Sequence, residues 1–239
     1  MGEQTFNGGK GSELIQWSDT TRFIRQLSHD LRNDLNAIEL QSAYLHELET
    51  NEESKSEIKR LREIVSRLAA NLQGLSRLVA DVRPTLIAYQ AADFLEDLRS
   101  HIERSLPHES AEISWDVQVG DAILNIDPQL LQEAFAELVT NAFRHDRAQG
   151  PLLATSKIEN NEFLFALQEP KARGVSAGEN WGREPLRNIS ARHYGLGLNR
   201  ARVIVETHGG RLGARYDQNI SALVTTLTLP LSPPISKHS

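Results

Sequence analysis

Ser28-His29-Asp30-Leu31-Arg32-Asn33-Asp34-Leu35-Asn36-Ala37-Ile38 sets an imidazole directly before a carboxylate, then a guanidinium and a carboxamide. Leu31, Leu35 and Ile38 recur at i, i+4 and i+7, so the stretch reads as an amphipathic helix with His29 at the edge of its apolar face. An imidazole attacks through one ring nitrogen while a hydrogen bond orients the other. Asp30 is placed to hold that tautomer and to act as general base, and Arg32 is suited to a phosphate or a carboxylate. The chemistry this group could perform is phosphoryl handling through His29. An isolated His-Asp pair is more often a pair of solvated helix residues, so the remainder of the chain has to decide.

The elements that must position this group are long helices. The first runs from Asp19 or Thr20 to about Glu49, with Phe23, Leu27, Leu31, Ile38, Leu45 and Leu48 inward. A polar turn at 50–54 follows. In the second helix Ile58, Leu61, Val65, Leu68, Leu72, Leu75, Leu78 and Val82 advance by threes and fours, as on a heptad seam. A lone helix pair of this length leaves apolar surface uncovered. A second copy would cover it as a four-helix bundle, and an intramolecular coiled-coil spacer is the alternative.

Pro84 stops the second helix and the rhythm changes. Helices are expected over 91–106, from Asp127-Pro128 (N-cap and first-turn proline) to about His145, and over 196–208, ending at Gly209-Gly210. Strands are expected over 113–119, 122–126, 152–158, 163–167, 211–216 and 222–229, with Asn160-Asn161 as a turn. Residues 171–194 read as a polar loop. The fold class expected is a helical hairpin followed by an α/β sandwich, an antiparallel-rich sheet with helices on one face.

The 239 residues suit one large or two ordinary domains. A formal charge of −6 argues against a nucleic-acid backbone as a general partner. The lack of cysteine excludes disulfides, thiol catalysis and thiolate metal sites. No apolar run approaches the roughly 20 residues that span a bilayer. These features set the expectation of a cytoplasmic protein without membrane contact, signalled by a soluble partner or small ligand.

Two further motifs follow the first in order. Glu137-Leu138-Val139-Thr140-Asn141-Ala142-Phe143-Arg144-His145 puts Glu137, Asn141, Arg144 and His145 on about one 100° arc of a helix, beside an apolar arc. An ordinary amphipathic helix with a solvated side would look the same. Gly195-Leu196-Gly197-Leu198 opens the last helix, where backbone N–H groups can approach phosphate; a plain loop-to-helix junction is the bland reading. Together the three stretches resemble the phosphoacceptor box, the N box and the second glycine box of the sensor histidine kinases, over roughly residues 19–230. That resemblance implies a dimerisation and phosphotransfer hairpin with a GHKL-type ATP-binding domain. By the same resemblance Asn33 orients a hydrolytic water, Asn141 coordinates Mg²⁺, Arg144 stands in for a lysine near the triphosphate, and Glu137, His145, Gly195, Gly197 and Leu198 complete the ATP site.

The first glycine box departs from the family's Asp-x-Gly-x-Gly. Alignment from the strand, or backward from Glu184-Pro185-Leu186 at the family's lid box, puts Glu169 at the adenine-binding Asp and Lys171 and Arg173 at the two glycines. Weakened or absent ATP binding is expected, with the two cations meeting phosphates as one option. Asp34 replaces a frequent proline, which implies a straighter first helix.

The domains expected are a tail (1–18), a phosphotransfer hairpin (19–83), a GHKL-type domain (84–231) and a second tail (232–239). The leading expectation is a dimeric histidine kinase that autophosphorylates His29 from ATP and passes the group to an Asp of a response regulator. The alternatives are an ATP-independent phosphotransferase or response-regulator phosphatase, favoured by the altered glycine box, and a silent dimeric scaffold, which has no need of His29, Asp30 and Asn33.

Overall fold

The structure is a computed structural model that describes residues 17–144, 147–174, 181, 183 and 196–232. The chain divides into two compact units, Met1–Ala80 and Asp81–Ser239.

The first unit is a hairpin of α1 (Trp17–Leu48) and α2 (Glu52–Leu78). The turn is tighter than the 50–54 expected. Glu49 Oε1 accepts from the Thr50 and Asn51 backbone N–H groups. Asn51 Oδ1 then caps α2 by accepting from Glu53 N and Ser54 N at 2.8 and 3.1 Å. Glu52 and Glu53 lie in the first turn of α2, where negative charge favours the helix dipole. At the far end, Arg25 Nε and Nη2 donate to the Val79 carbonyl at 2.9 and 2.7 Å and cap α2. The residues buried between the helices include Ser28, Ser42 and Val65.

The apolar residues expected inward on α1 are instead uncovered within one chain: Phe23 is 65% and Leu48 60% exposed, and Leu27, Leu31, Ile38 and Leu45 are all classed as exposed. Two helices can hide only a narrow stripe of each other, and the heptad pattern here specifies more apolar surface than one partner covers. Helix α1 runs unbroken through Asp34.

In the second unit, β1 (Ile87–Gln90), β2 (Ile113–Gln118), β3 (Ile123–Ile126), β4 (Leu152–Glu159), β5 (Glu162–Pro170), β6 (Arg211–Asp217) and β7 (Ala222–Pro230) alternate with α3 (Ala91–Ser105), α4 (Pro128–Arg144) and α5 (Leu196–Thr207). The main sheet has the order β2-β4-β5-β7-β6. Strands β2 and β4 are parallel, with Ile113 opposite Leu152, and the other neighbours are antiparallel. Strands β1 and β3 form a separate antiparallel pair; β1 is short and mostly exposed, without the alternation that marks a strand in sequence.

Strand β5 alternates in burial, with Phe163, Phe165, Leu167 and Glu169 all buried. Phe135 of α4 packs edge-on against Phe94 of α3 and Phe165, at ring distances of 5.3 and 4.7 Å. The β4–β5 turn uses Asn160 and Asn161 at φ 51° and 61°, the left-handed pair of a two-residue hairpin. Helix α5 ends on Gly209 at φ 74°, and the Gly210 N–H closes onto the Val205 carbonyl at 3.0 Å.

Candidate functional site

On α1, His29 Nδ1 lies 3.2 Å from Asp30 Oδ1, and both side chains are more than half exposed. Gln26 Nε2, one turn earlier, donates to the same oxygen at 2.9 Å. The hydrogen bonds from His29 and then Gln26 hold the Asp30 carboxyl below the usual carboxylate range. In the tautomer that donates Nδ1–H to the carboxylate, the ring's lone pair lies on Nε2. Asn33 is exposed one turn on. Arg32 reaches across the hairpin to Ser76 Oγ at 3.4 Å. The structure therefore brings His29 and Asp30 together and gives Arg32 a partner on α2.

In the second unit, Asp127 caps α4: Oδ1 accepts from Leu130 N and Oδ2 from Thr85 N, at 3.1 and 2.9 Å. Burial pushes its carboxyl up, but the Thr85, Leu130 and Gln129 N–H groups outweigh that and leave it below the ordinary value. The buried His208 accepts the Asp127 N–H on Nε2 at 3.0 Å and sits 2.7 Å through Nδ1 from the Ile204 carbonyl. A neutral Nδ1–H tautomer satisfies both contacts and ties the end of α5 to the start of α4. Arg200 Nε meets Glu133 Oε1 at 2.5 Å and joins the same two helices further along.

These contacts set the face that carries Glu137 and Asn141. Asn141 Nδ2 donates to Glu137 Oε1 at 3.0 Å. Gly197 lies against the same carboxylate, so closely that a Cβ there would overlap Glu137 Oε1 and Cδ. Leu198 packs against the core, and Arg144 is exposed at the last residue of α4. His145, Gly195 and the stretch Glu184-Pro185-Leu186 lie outside the described residues. Among the described residues, no group of three His, Cys, Asp or Glu is arranged to hold a metal ion; Asn141, expected at Mg²⁺, gives its Nδ2 to Glu137, which leaves the ligating atom Oδ1 outside that bond.

At the end of β5, Lys171 Nζ is ion-paired with Glu169 Oε1, and both side chains are buried. Burial pushes the Glu169 carboxyl above its usual range, while Lys171 and then Arg147 pull it back. The backbone is pinned on both sides: Lys171 N donates to Ser221 O and Ala148 N to Pro170 O, each at 2.9 Å, and Arg147 bridges Lys171. The strand thus continues past the expected 163–167, and Lys171 turns to its own neighbour rather than toward a phosphate. An adenine acceptor needs a free carboxylate and a loop open to the base. Glu169 is instead ion-paired with Lys171, so these two residues do not fit an adenine nucleotide.

No family model matches the chain. It is 26% identical over 227 residues to the sensor histidine kinase HprS of Escherichia coli, covering 88% of this chain and 47% of that protein. It is 25% identical over 208 residues to the alginate biosynthesis sensor protein KinB of Pseudomonas aeruginosa, covering 82% and 34%. The chain thus spans about half or less of the length of these curated relatives. Among solved structures, full-length ShkA in complex with AMPPNP matches with a TM-score of 0.66 at 18% identity, over 89% of this chain and 46% of that one. The histidine kinase AdeS of Acinetobacter baumannii matches at 0.51 and 17%, over 86% and 98%.

The chain is sensor histidine kinase-like.

Its second unit has the fold of histidine kinase catalytic domains, as the likeness to the catalytic domain of ThkA also shows (TM-score 0.50, 16% identity, 61% of this chain and 95% of that one). Among the described residues, no helix of this kinase-like chain is long and apolar enough to cross a membrane. His208-Gly209-Gly210 belongs to the stretch that resembles the second glycine box, but nothing in the spacing of His208, Arg200 or Arg25 marks their partners.

Proposed function

We propose that this protein is a two-component phosphotransfer enzyme, in which His29 carries a phosphoryl group and exchanges it with an aspartate on a response-regulator receiver domain. The observation that supports this best is the His29–Asp30 pair, 3.2 Å apart on the open face of α1. In the transfer, Nε2 attacks the phosphorus of a receiver aspartyl phosphate. The N–P bond forms as the P–O bond to the aspartate breaks, the carboxylate leaves, and Asp30 holds or takes the Nδ1 proton. The reverse step passes the group on. Asn33 orients water where hydrolysis is the outcome. The working form is a cytoplasmic homodimer, whose second copy covers the apolar face around Phe23, Leu27 and Leu31.

Two sources of the phosphoryl group divide the reading. The autophosphorylating kinase, with Mg²⁺ and ATP, is supported by the names of the relatives and by the order of the three family-like stretches along the chain. The ATP-independent phosphotransferase or phosphatase is favoured by one specific observation, the buried Glu169–Lys171 pair. The test incubates the full chain separately with radiolabelled Mg-ATP and with a phosphorylated receiver. Acid-labile label on the wild type and none on His29→Ala is expected. Label from the receiver alone selects the second reading, and label from ATP selects the first. Undiminished label on His29→Ala would remove His29 from the reaction.

A further inference from the structure

The mismatch at Glu169 extends across the second unit. If β5 ended in an open glycine loop, Glu169 would face an empty subsite. Instead, Lys171 sends its four-carbon stem and ammonium back onto Glu169, and both side chains are buried. An amine held against that carboxylate makes the same kind of contact that the amino group of a base would make. Its backbone is fixed between Arg147-Ala148 and Ser221, so the segment cannot swing aside without breaking hydrogen bonds on both sides. Gly150, at φ 134°, lies beside Pro170, whose ring a Cβ there would meet at 3.4 Å.

The other end is treated alike. Gly197 is the second residue of α5, where the helix dipole favours an anion. The anion against it is the chain's own Glu137 carboxylate, close enough to occupy the volume of a Cβ and held there by Asn141. One internal cation stands at the base end and one internal anion stands at the phosphate end.

We propose that this nucleotide site is filled from within: Lys171 takes the place of the base, Glu137 takes the place of a phosphate, and an adenine nucleotide is not a ligand of the protein. The inference rests on the fold and side chains of the second unit and not on phosphotransfer at His29, so its failure would leave that activity standing.

The test titrates the full chain with Mg-ADP by calorimetry and by thermal shift. The wild type is expected to give no saturable heat and no Tm shift up to about 5 mM. Lys171→Ala, which frees Glu169 and empties the subsite, is expected to bind Mg-ADP at least about tenfold more tightly than the wild type. Saturable wild-type binding with a submillimolar Kd overturns the proposal, and so does a folded Lys171→Ala that gains nothing. Should Lys171→Ala fail to fold, amine acetylation of the wild type decides alongside the titration. Lys171 is expected to stay unmodified on a timescale that labels Lys55 and Lys59, with or without Mg-ADP. Labelling of Lys171 as fast as those surface lysines overturns the internal plug.

Discussion

Replacing Gly197 with alanine places a methyl group where the Glu137 carboxylate now lies. The new Cβ would overlap Oε1 and Cδ and stand 3.0 Å from Oε2. Ordinary contact requires the carboxylate to retreat by about 1.5 Å, which breaks the 3.0 Å bond from Asn141. A hydrogen bond to a charged group contributes about 1.5–3 kcal/mol, and the partial exposure of Glu137 argues for the lower end. Displacing the side chain from its rotamer adds about 1 kcal/mol. Against this, alanine is favoured over glycine in a helix by up to about 1 kcal/mol. The net expectation is a loss of about 1–2 kcal/mol, a Tm lowered by about 3–6 °C for a unit of this size. In a Glu137→Ala background the clash and the bond are both gone, so Gly197→Ala should raise Tm there. Thermal unfolding of the four proteins by circular dichroism closes the cycle, with an interaction of about 2–3 kcal/mol expected. An equal change in both backgrounds, or a stabilised single variant, would refute the placement of Glu137 against α5.

Gly210→Ala meets less forgiving neighbours: its Cβ would overlap the Thr228 carbonyl and lie 2.8 and 2.9 Å from Leu229 Cδ2 and Val205 Cγ1. A backbone oxygen cannot rotate away, so a loss above about 3 kcal/mol is expected in urea unfolding. Gly213→Ala, with nothing within 4 Å, should change stability by less than about 1 kcal/mol in the same assay. On α1, the folded pKa of Asp30 lies below its unfolded value because of the hydrogen bonds from His29 and Gln26. Its stabilising contribution is therefore present above the unfolded carboxylate pKa and is lost as pH falls through the lower folded value. A carboxyl NMR titration of Asp30 should move upward in His29→Ala; an unchanged midpoint would show that the two side chains do not interact.

Most elements were legible because their signals are local. Asp127-Pro128 marks the start of α4 by cap chemistry, Asn160-Asn161 marks a turn by its tolerance of positive φ, and Gly209 marks the end of α5. What was not legible depends on partners distant in sequence. Strand β1 has no alternation and exists because β3 pairs with it. The apolar positions of α1 read correctly as one side of a helix, but a periodicity does not say whether α2 or another chain covers it. At the candidate site, the adjacency of His29 and Asp30 is written in the sequence. The pairing of the Lys171 ammonium with Glu169 is half legible: two residues apart along a strand the side chains share a face, but the Lys171 N–H to Ser221 carbonyl bond that carries the extended chain to residue 171 joins residues distant in sequence.

The parallel pairing of β2 with β4 has a consequence for how this unit assembles. Every other neighbour in the main sheet is antiparallel, and β4–β5 and β6–β7 are joined by short turns. Bringing Ile113 beside Leu152 instead closes a loop of about 40 residues, at a chain-entropy cost of roughly 3 kcal/mol. That loop contains β3 and the whole of α4. The helix bearing Glu137 and Asn141 therefore lies within the crossover that joins the two parallel strands. The β5–β7 pairing is non-local too, its nearest partners being Pro170 and Ala222, so both pairings that complete the main sheet wait on long loops, and α4 lies inside one of them.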